Sequence, residues 1–302
     1  MPDVSILMVG YNSAPFLPAC LASLGQGVRR PAFELLFIDN GSDGSERLVS
    51  ELVPGVRILS GRGNIGFGAA NNLLGAQARG EFLLLLNPDT RLLPEAVDRL
   101  FDAARDHPQF GILGGSTLLD MQGETMMPPL ELPDHRTILR SMVRRARQPV
   151  RGAVNECVVP ASATSGGFML VRHELWQALG GFDERYFLYG EDLDLCRRAA
   201  VSGWKVGSVA TARVYHDVGS GEFGSARRLL LRARGTATYH HSHFPAWRAW
   251  VHVMLMWIAL LPRMALPALL QAAGPHWRSR FRSIAPLVFK PWQWMCGFPA
   301  RR

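Results

Sequence analysis

Two motifs far apart in the sequence carry carboxylates that could do chemistry: Asn87-Pro88-Asp89 and Gly190-Glu191-Asp192-Leu193-Asp194. A carboxylate such as Asp89 can hold a hard divalent cation, which neutralises a departing phosphate group. A second carboxylate, such as Asp192 at the start of a helix, can remove a proton from a hydroxyl group. Each motif also has a purely structural interpretation, because the first is typical of a turn and the second of acids that complement a helix dipole. The interpretation therefore depends on what lies near these carboxylates.

Polar residues follow four apolar runs near the start of the chain. They are Tyr11-Asn12, Asp39-Asn40-Gly41-Ser42-Asp43, Gly63-Asn64-Ile65-Gly66-Phe67-Gly68 and Asn87-Pro88-Asp89-Thr90. Short apolar runs are typical of buried parallel strands, whose carboxyl ends meet at one edge of a sheet and bind ligands there. Each segment alone is weak evidence, because the glycines could simply begin a helix and Tyr11 could be an ordinary half-buried aromatic residue. Together the four segments predict a nucleotide crevice.

The elements that must position these residues alternate between strands and helices. The predicted strands are 5–9, 34–38, 56–59, 82–86, 111–114, 165–172 and 204–209, and the predicted helices are 16–24, 44–52, 66–78, 94–104, a helix ending near 179, and 191–202. This alternation predicts an α/β fold with a doubly wound sheet. Residues 116–163 are rich in Pro, Met and Arg without a clear period, which predicts a long loop or excursion.

Composition limits the class of protein and its partners. The 302 residues are 48% hydrophobic and 19% charged, so a folded core is expected, and the net charge of +8 is concentrated in an Arg-rich last third. Basic segments bind phosphates. Because no nucleic-acid-binding signature accompanies the charge, we expect a diphosphate substrate or an anionic membrane and no nucleic acid. The scattered cysteines predict free thiols in the cytoplasm, and no signal peptide is expected at the start. These cysteines are Cys20, Cys157, Cys196 and Cys296.

The C-terminal segment combines tryptophan, arginine and aliphatic residues. Its uninterrupted apolar part, Val253–Leu261, is shorter than the roughly 20 residues needed to cross a bilayer. Tryptophans beside cationic residues are typical of helices that lie in the membrane interface. We therefore predict a helical, membrane-facing extension over 225–302, peripheral on the cytoplasmic face of the inner membrane. A helical cap on the catalytic domain and a true membrane span are the alternatives.

One family shares all of these motifs in the same order. The motifs are VGYNS, FIDNGSDGS, GNIGFGAANN, LLLLNPDT, TSGGFMLV, GGFDERYFLYGEDLDLCRR and VYH. Over residues 4–220 the chain resembles glycosyltransferase family 2, especially its bacterial rhamnosyltransferase-like and galactofuranosyltransferase-like branch. The resemblance implies a GT-A fold: a Rossmann-like, mixed and mainly parallel central sheet with flanking helices. It also implies a catalytic domain over 1–224, with a nucleotide-sugar-binding half (1–115) and an acceptor and catalytic-base half (116–224).

The resemblance further implies roles for individual residues on the donor side. Tyr11 would stack on the nucleotide base, and Asp39 would accept a hydrogen bond from the N–H group of uracil or thymine. Asn64, with the neighbouring backbone at Gly66, would hold the base or ribose. Asn87 stands where the family has the first acid of its DxD motif, so the motif retains one carboxylate here.

The remaining implied roles concern the cation and the acceptor. Asp89 and His216 would bind Mg²⁺ or Mn²⁺, for which imidazole is an acceptable ligand. Asp192 would be the catalytic base of an inverting transfer, with Glu191 and Asp194 supporting it or contacting the acceptor. Tight strand packing is an equal alternative for Gly166, whose backbone would otherwise approach the donor sugar or the acceptor.

The expected donor is a dTDP- or UDP-sugar, with rhamnose as the first candidate, and the expected acceptor is a cell-surface glycan or its polyprenyl-linked carrier. Two other functions remain as alternatives. One is a membrane-associated relic that binds nucleotide-sugars without catalysis, which the Asn87 departure favours. The other is a nucleotidyltransferase, which the sequence disfavours because no cationic residue follows the first strand at 10–13.

Overall fold

A computed structural model of the chain describes residues 1–60, 63–119, 126–127, 130–143, 158–216 and 225–299. Much of the predicted excursion, with Cys157, and the proposed boundary at 224 lie outside these residues. The described residues form two compact units. The first contains residues up to Glu131 together with 158–183 and 192–216. The second contains 132–143, 184–191 and 225–299.

The first unit is built on a nine-stranded sheet. Its strands are β1 (Val4–Gly10), β2 (Phe33–Asp39), β3 (Arg57–Leu59), β4 (Phe82–Leu86), β5 (Thr90–Leu92), β6 (Phe110–Leu118), β7 (Val159–Pro160), β8 (Phe168–Arg172) and β9 (Lys205–His216). The helices of this unit are α1 (Leu17–Gly27), α2 (Ser45–Leu52), α3 (Phe67–Gly75), α4 (Ala96–Asp106), α6 (His173–Leu179) and α7 (Glu191–Val201), whose first residue belongs to the second unit. The order of the strands is β3-β2-β1-β4-β8-β6-β9-β5, with β7 beside β9. The prediction of a mixed, mostly parallel sheet with flanking helices is confirmed.

The directions of the strands bring several chain segments to one sheet edge. Strands β1, β2, β3 and β4 run parallel, so their carboxyl ends lie together. Strand β8 is antiparallel to β4, and therefore its first residue, Phe168, lies at the same edge, opposite Leu86. Strand β6 is antiparallel to β8 and parallel to β9, which returns the end of β9 to that edge as well.

The complete burial of the central strands explains why they could be predicted from the sequence. All seven residues of β1 and all five of β4 are buried, as expected when helices cover both faces of a sheet. The covering helices are amphipathic. In α4, for example, Val97, Leu100 and Ala104 are buried on one face, whereas Arg105 lies on the exposed side.

Several elements differ from the sequence prediction, among them the short strand β7, which lies within the predicted excursion 116–163. Strand β5 was not predicted, because three residues carry too little periodicity to be recognised. Strand β9 was predicted to end near Val209, which was wrong: it continues to His216, where it pairs with β5. A helix, α5 (His135–Val143), lies within the predicted excursion 116–163 and belongs to the second unit.

The second unit contains three further helices, α8 (Ala226–His243), α9 (Ala246–Leu270) and α10 (Pro275–Phe289). They pack around a small core that includes Val253 and the fully buried Trp294. The indole N–H of Trp294 donates to the backbone oxygen of Leu287 over 2.9 Å, which satisfies the polar atom of this buried ring.

Helix α9 is longer than the apolar stretch predicted from the sequence. It continues through Pro262 and Pro267 to Leu270, giving 25 residues with a mean hydropathy of 1.9 in its most apolar window. In the described part of the chain, α9 is the helix long and apolar enough to cross a membrane, and 17% of that window is buried. A helix in a protein core would be mostly buried. Because only 17% of this window is buried, α9 exposes a large apolar surface.

The segment that leads into Asp192 is held by α8. Tyr186 is fully buried, and the ring of Tyr189 lies under the guanidinium of Arg232 at 5.0 Å. At Gly235 the backbones touch, because a Cβ atom there would lie 1.9 Å from the Tyr189 carbonyl oxygen. Only glycine permits this approach between α8 and residues 184–191.

Candidate active site

The loops after β1 and β2 pack directly on each other. The side chain of Asp43 accepts a hydrogen bond from the Ala14 backbone N–H over 2.9 Å. Gly41 lies so close to the first loop that a Cβ atom would be 2.7 Å from the Asn12 nitrogen. Tyr11, which follows β1, keeps half of its surface exposed, so its ring is accessible to a ligand.

The loop before α3 joins the same group. The Asn40 side chain donates to the Gly66 carbonyl over 3.1 Å, and the exposed Asn64 accepts from the Gly66 N–H over 3.1 Å. Gly66 has a φ of +86°, which a residue with a Cβ atom rarely adopts. The predicted donor-side segments that follow β1, β2 and β3 are therefore brought together.

Asp39 lies at the end of β2 and is partly buried. Its Oδ1 accepts the Gly41 N–H over 2.8 Å. Burial raises the pKa of the Asp39 carboxyl above its usual value, despite this hydrogen bond. A partly desolvated carboxylate forms a stronger hydrogen bond with a donor that enters the crevice than an exposed one would.

The segment after β4 is held by hydrogen bonds of both backbone polar groups of Asn87. The Asn87 backbone N–H donates to the Gly167 carbonyl over 3.0 Å, and the Asn87 carbonyl accepts from the Thr90 hydroxyl over 2.6 Å. The thiol of Cys20 lies 3.7 Å from the same carbonyl. The sequence offered no signal that Cys20 would support this turn.

Asp89 and His216 meet at the junction of β5 and β9. Strand β5 pairs antiparallel with β9, with Thr90 opposite His216, so the two side chains converge. The Nε2 atom of His216 lies 2.9 Å from Oδ1 of Asp89. The strand predicted over 204–209 would leave His216 beyond its end, whereas His216 is the last residue of β9 itself.

These two side chains fit a cation. Both facing atoms are buried, and among the described residues neither has a hydrogen-bond partner in spite of their proximity. Buried polar atoms are usually paired, so a carboxylate oxygen and an imidazole nitrogen that lie side by side without hydrogen bonds fit a shared metal ion. The described residues contain no group of three His, Cys, Asp or Glu side chains with metal-ligand geometry. Additional oxygens would therefore have to come from water or from a bound diphosphate.

Asp192 is the second residue of α7 and faces the loop before β8. The Gly166 N–H donates to its Oδ2 over 3.3 Å, and the Leu193 N–H donates to its Oδ1 over 2.8 Å. A Cβ atom at Gly166 would lie 3.7 Å from the Asp192 Cβ and 3.3 Å from the Phe67 ring. Gly166 therefore packs closely against the Phe67 ring and beside Asp192, as the tight-packing alternative predicts. The helix N-terminus stabilises the charge of the Asp192 carboxylate.

A short chain of contacts joins the two carboxylates. Asp192 binds the backbone of Gly166, the adjacent Gly167 binds Asn87, and Asn87 is two residues from Asp89. Asp89 and Asp192 therefore both lie near the loop before β8, at the same edge of the sheet.

The other two acids of this motif have different environments. Asp194 is buried and accepts from the Arg198 guanidinium over 2.7 Å. Arg198 also donates to the carbonyls of Leu179 and Gly181, so this pair ties α7 to the turn after α6. Glu191 is buried in the second unit.

The buried cysteines of the first unit are not nucleophiles. Burial raises the pKa of Cys20 to about 12 and that of Cys196 to about 12, so both stay protonated near neutral pH. Both are free thiols, as predicted, and so is the exposed Cys296.

Comparison with known proteins shows the family of this chain. A profile described as glycosyl transferase family 2 matches residues 5–177, and one described as the N-terminal domain of galactosyltransferase matches residues 150–218. The chain belongs to glycosyltransferase family 2 and is a glycosyltransferase.

Two relatives are rhamnosyltransferases. The chain is 31% identical to N-acetylglucosaminyl-diphospho-decaprenol L-rhamnosyltransferase of Mycobacterium tuberculosis, over 94% of this chain and 98% of that protein. It is 23% identical to the rhamnosyltransferase WbbL of Escherichia coli K12, over 70% of this chain and 83% of that protein.

Solved structures confirm the GT-A fold. The mannosyltransferase PcManGT of Pyrobaculum calidifontis, solved with GDP-Man and Mn²⁺, superposes with a TM-score of 0.57 at 18% identity, covering 98% of this chain and 84% of that one. GalNAc-T7, solved with UDP, GalNAc and Mn²⁺, gives a TM-score of 0.58 at 15% identity, covering 81% and 52%.

Proposed function

We propose that this glycosyltransferase transfers a sugar, with rhamnose the first candidate, from a nucleoside diphosphate to a hydroxyl group of a lipid-linked or cell-surface glycan, with inversion at the anomeric carbon. The observation that supports this proposal is the link between the Asp192 carboxylate and the segment of Asp89 through one glycine loop, in which Gly166 binds Asp192 and Gly167 binds Asn87. An in-line displacement needs a group that stabilises the leaving phosphate on one side and a base on the other.

The donor occupies the crevice formed by the loops after β1, β2, β3 and β4. The exposed face of Tyr11 stacks on the base, and Asp39 accepts its N–H group. A dTDP- or UDP-sugar satisfies this pairing, because thymine and uracil both carry such a donor. Asn64, Gly66 and Asn87 complete the donor side.

A divalent cation, Mg²⁺ or Mn²⁺, would be held by Asp89 and His216. Their unsatisfied buried atoms support this assignment. When bound, the cation would supply positive charge to the departing diphosphate. The Mn²⁺ in PcManGT and GalNAc-T7 agrees with the choice of metal.

Asp192 removes the proton from the acceptor hydroxyl. Two backbone N–H groups, those of Gly166 and Leu193, fix its carboxylate. Asp194 supports this base through Arg198, because their pairing fixes the position of α7. Glu191, buried before Asp192, has the same supporting role.

The relatives favour a lipid-linked acceptor. The mycobacterial protein is named for transfer of L-rhamnose to N-acetylglucosaminyl-diphospho-decaprenol, and the match extends over almost all of both chains. An acceptor of this kind stays in the membrane, so the enzyme gains from binding there.

Helix α9 provides the means of membrane binding. One face contributes to the core of the second unit, whereas large apolar side chains along the other face are exposed. These are Trp247, Trp250, Val251, Met254, Ile258, Leu261, Leu266 and Leu269. We call them the apolar stripe. A helix with one packed face and one apolar exposed face fits the interface of a bilayer, so the enzyme is peripheral on the cytoplasmic face of the inner membrane.

The test is a transfer assay with dTDP-rhamnose or UDP-sugars and a lipid extract that contains polyprenyl-diphosphate acceptors. The wild type should transfer sugar with Mn²⁺ or Mg²⁺ and lose activity with a chelator. Asp192→Asn should bind the donor as the wild type does, while turnover falls by about a hundredfold or more, because only the proton acceptor is lost.

Normal turnover in Asp192→Asn would refute the assignment of the base. Donor binding without turnover in the wild type, across all donors and acceptors tried, would instead favour a binding relic. Membership of the family leaves the nucleotidyltransferase alternative without support.

A further inference from the structure

The C-terminal part of the chain has an extreme charge distribution. Residues 225–302 contain 12 of the 33 Lys and Arg residues and none of the 25 Asp and Glu residues. A segment with so many cations and no acids of its own has a large net positive charge. Such charge attracts anions unless it is spread evenly over the surface.

Part of this charge converges on one cavity within the second unit. The cavity lies between the first turn of α8 and the first half of α10 and has a volume of about 430 Å³. Its lining residues are Ala226, Pro275, Arg278, Ser279, Arg282 and Ser283. We call it the arginine groove. Its lining offers two guanidinium groups and the Ser279 hydroxyl as hydrogen-bond donors and contains no carboxylate, while the Ser283 hydroxyl donates to the Ser279 carbonyl over 3.0 Å.

The two arginines are spaced one helical turn apart. Arg278 and Arg282 are exposed, and within the described residues neither forms an ion pair with a carboxylate. Like charges four positions apart on a helix repel each other, so this arrangement is unfavourable without an anion between them. An anion bound between the two guanidinium groups would attract both and offset their repulsion.

The backbone at the start of two helices adds further positive charge to the groove. Ala226 is the first residue of α8 and Pro275 is the first residue of α10, so both helices begin at the groove. The N-terminal ends of helices carry partial positive charge and bind phosphate groups. Arginine is well suited to phosphate because its planar group can donate two parallel hydrogen bonds.

The groove is also next to the apolar stripe. The stripe ends at Leu266 and Leu269, and only residues 271–274 separate the end of α9 from the start of α10. A ligand with an apolar chain along the stripe would therefore have its head group near Arg278.

We propose that the arginine groove binds the phosphate or diphosphate group of a lipid. This site is formed by residues of the second unit and shares none with the cation site at Asp89 and His216, so the proposal holds whether or not the first unit transfers a sugar. The phosphate can come from a bilayer phospholipid or from a lipid-linked diphosphate, which share this chemistry.

The experiment uses the full-length protein and two probes. Inorganic pyrophosphate is titrated by calorimetry in the presence of a chelator, which removes any cation-dependent binding elsewhere. Vesicles of phosphatidylcholine, with and without phosphatidylglycerol, are used for flotation. The variants are Arg278→Gln, Arg282→Gln and the control Arg280→Gln, which removes the same charge from the same exposed part of α10 but does not line the groove.

Arg278→Gln and Arg282→Gln should each weaken binding about threefold or more, while Arg280→Gln changes it less than about twofold, because a charge-assisted contact is lost only in the groove. A selective loss of pyrophosphate affinity identifies a diphosphate head group as the ligand. A selective loss confined to vesicles with phosphatidylglycerol identifies the bilayer phospholipid. If the three variants behave alike with both probes, the charge acts only diffusely and the groove is not a site.

Discussion

The imidazole of His216 lies 2.9 Å from the carboxylate of Asp89, although the two residues are far apart in the sequence. The contact exists because β5 and β9 pair antiparallel, with Thr90 opposite His216. Each side chain thereby contributes an unsatisfied acceptor to one point at the edge of the sheet. Neither residue could hold a cation well alone, since a single protein ligand competes poorly with water.

The first prediction concerns this pair. Asp89→Asn and His216→Ala should each lower kcat/KM by about a hundredfold at a fixed Mn²⁺ concentration, because the cation contributes several kcal/mol to stabilising the leaving group. Activity should recover in part at higher Mn²⁺ concentrations. Steady-state rates over a metal titration measure both effects. His107→Ala, which removes an imidazole elsewhere in the first unit, should keep the wild-type dependence on Mn²⁺. Identical metal dependence in all three variants would remove the pair from the cation site.

The second prediction concerns the buried ion pair of α7. Asp194→Asn should lower the free energy of unfolding by about 3 kcal/mol, because it leaves the Arg198 guanidinium without its carboxylate in a largely buried site. Chemical denaturation measures this difference. Glu51→Gln is the matched control: it breaks a pair with Arg47 that has the same helical spacing but is exposed, so about 0.5 kcal/mol or less is expected. Wild-type stability with weaker acceptor binding in Asp194→Asn would instead place Asp194 in the acceptor site.

The third prediction concerns the apolar stripe. Replacing Val251, Met254 and Ile258 together by Gln should reduce flotation with phosphatidylcholine–phosphatidylglycerol vesicles about tenfold or more, because each apolar side chain contributes roughly 1.5–3 kcal/mol when fully buried. Leu52→Gln with Val201→Gln, which changes exposed apolar residues of the first unit, is the control and should float normally.

Unchanged flotation of the stripe variant would contradict an interfacial role for α9. Wild-type protein that resists extraction from membranes by high salt and alkaline washing would show that α9 spans the bilayer, which its 25 residues allow.

The fourth prediction concerns pH. His240 is fully buried, with its Nδ1 atom 3.1 Å from Nδ1 of His252, which in turn stacks on His135. Burial, followed by the charges of His252 and His241, lowers the pKa of His240 to about 3, with Asp134 opposing the shift. The pKa of His252 is lowered in the same direction, also by burial first.

The direction in which stability changes with pH follows from the difference in proton binding between folded and unfolded protein. Unfolded protein takes up a proton at His240 near the ordinary pKa of 6.5, whereas folded protein does so only near 3, so stability is complete above 6.5 and is lost as pH falls between these values. Within that window the free energy of unfolding should fall by about 1.4 kcal/mol per pH unit for this one group. Denaturation of the wild type and of His240→Phe across this range tests it. Equal slopes for both proteins would contradict the assignment.

Local sequence patterns were sufficient to predict the central strands and helices and to select many of the candidate site residues. The apolar runs at 5–9 and 82–86 predicted β1 and β4 because strands covered on both faces must be apolar at almost every position. Parallel strands then required Asp39 and Asn87 to lie at one edge. The acidic motif at the start of α7 was also readable, since helix N-termini favour carboxylates.

The pairing of distant segments could not be predicted from the sequence. The three residues of β5 have no periodic signal, yet their register with β9 decides that His216 meets Asp89. Asp194 and Asp192 look alike in the motif, but opposite faces of α7 direct one towards Arg198 and the other towards Gly166. Residue types and local periodicity come from the chain itself, whereas register, burial and the partner of each charge depend on long-range packing, which no short stretch of sequence encodes.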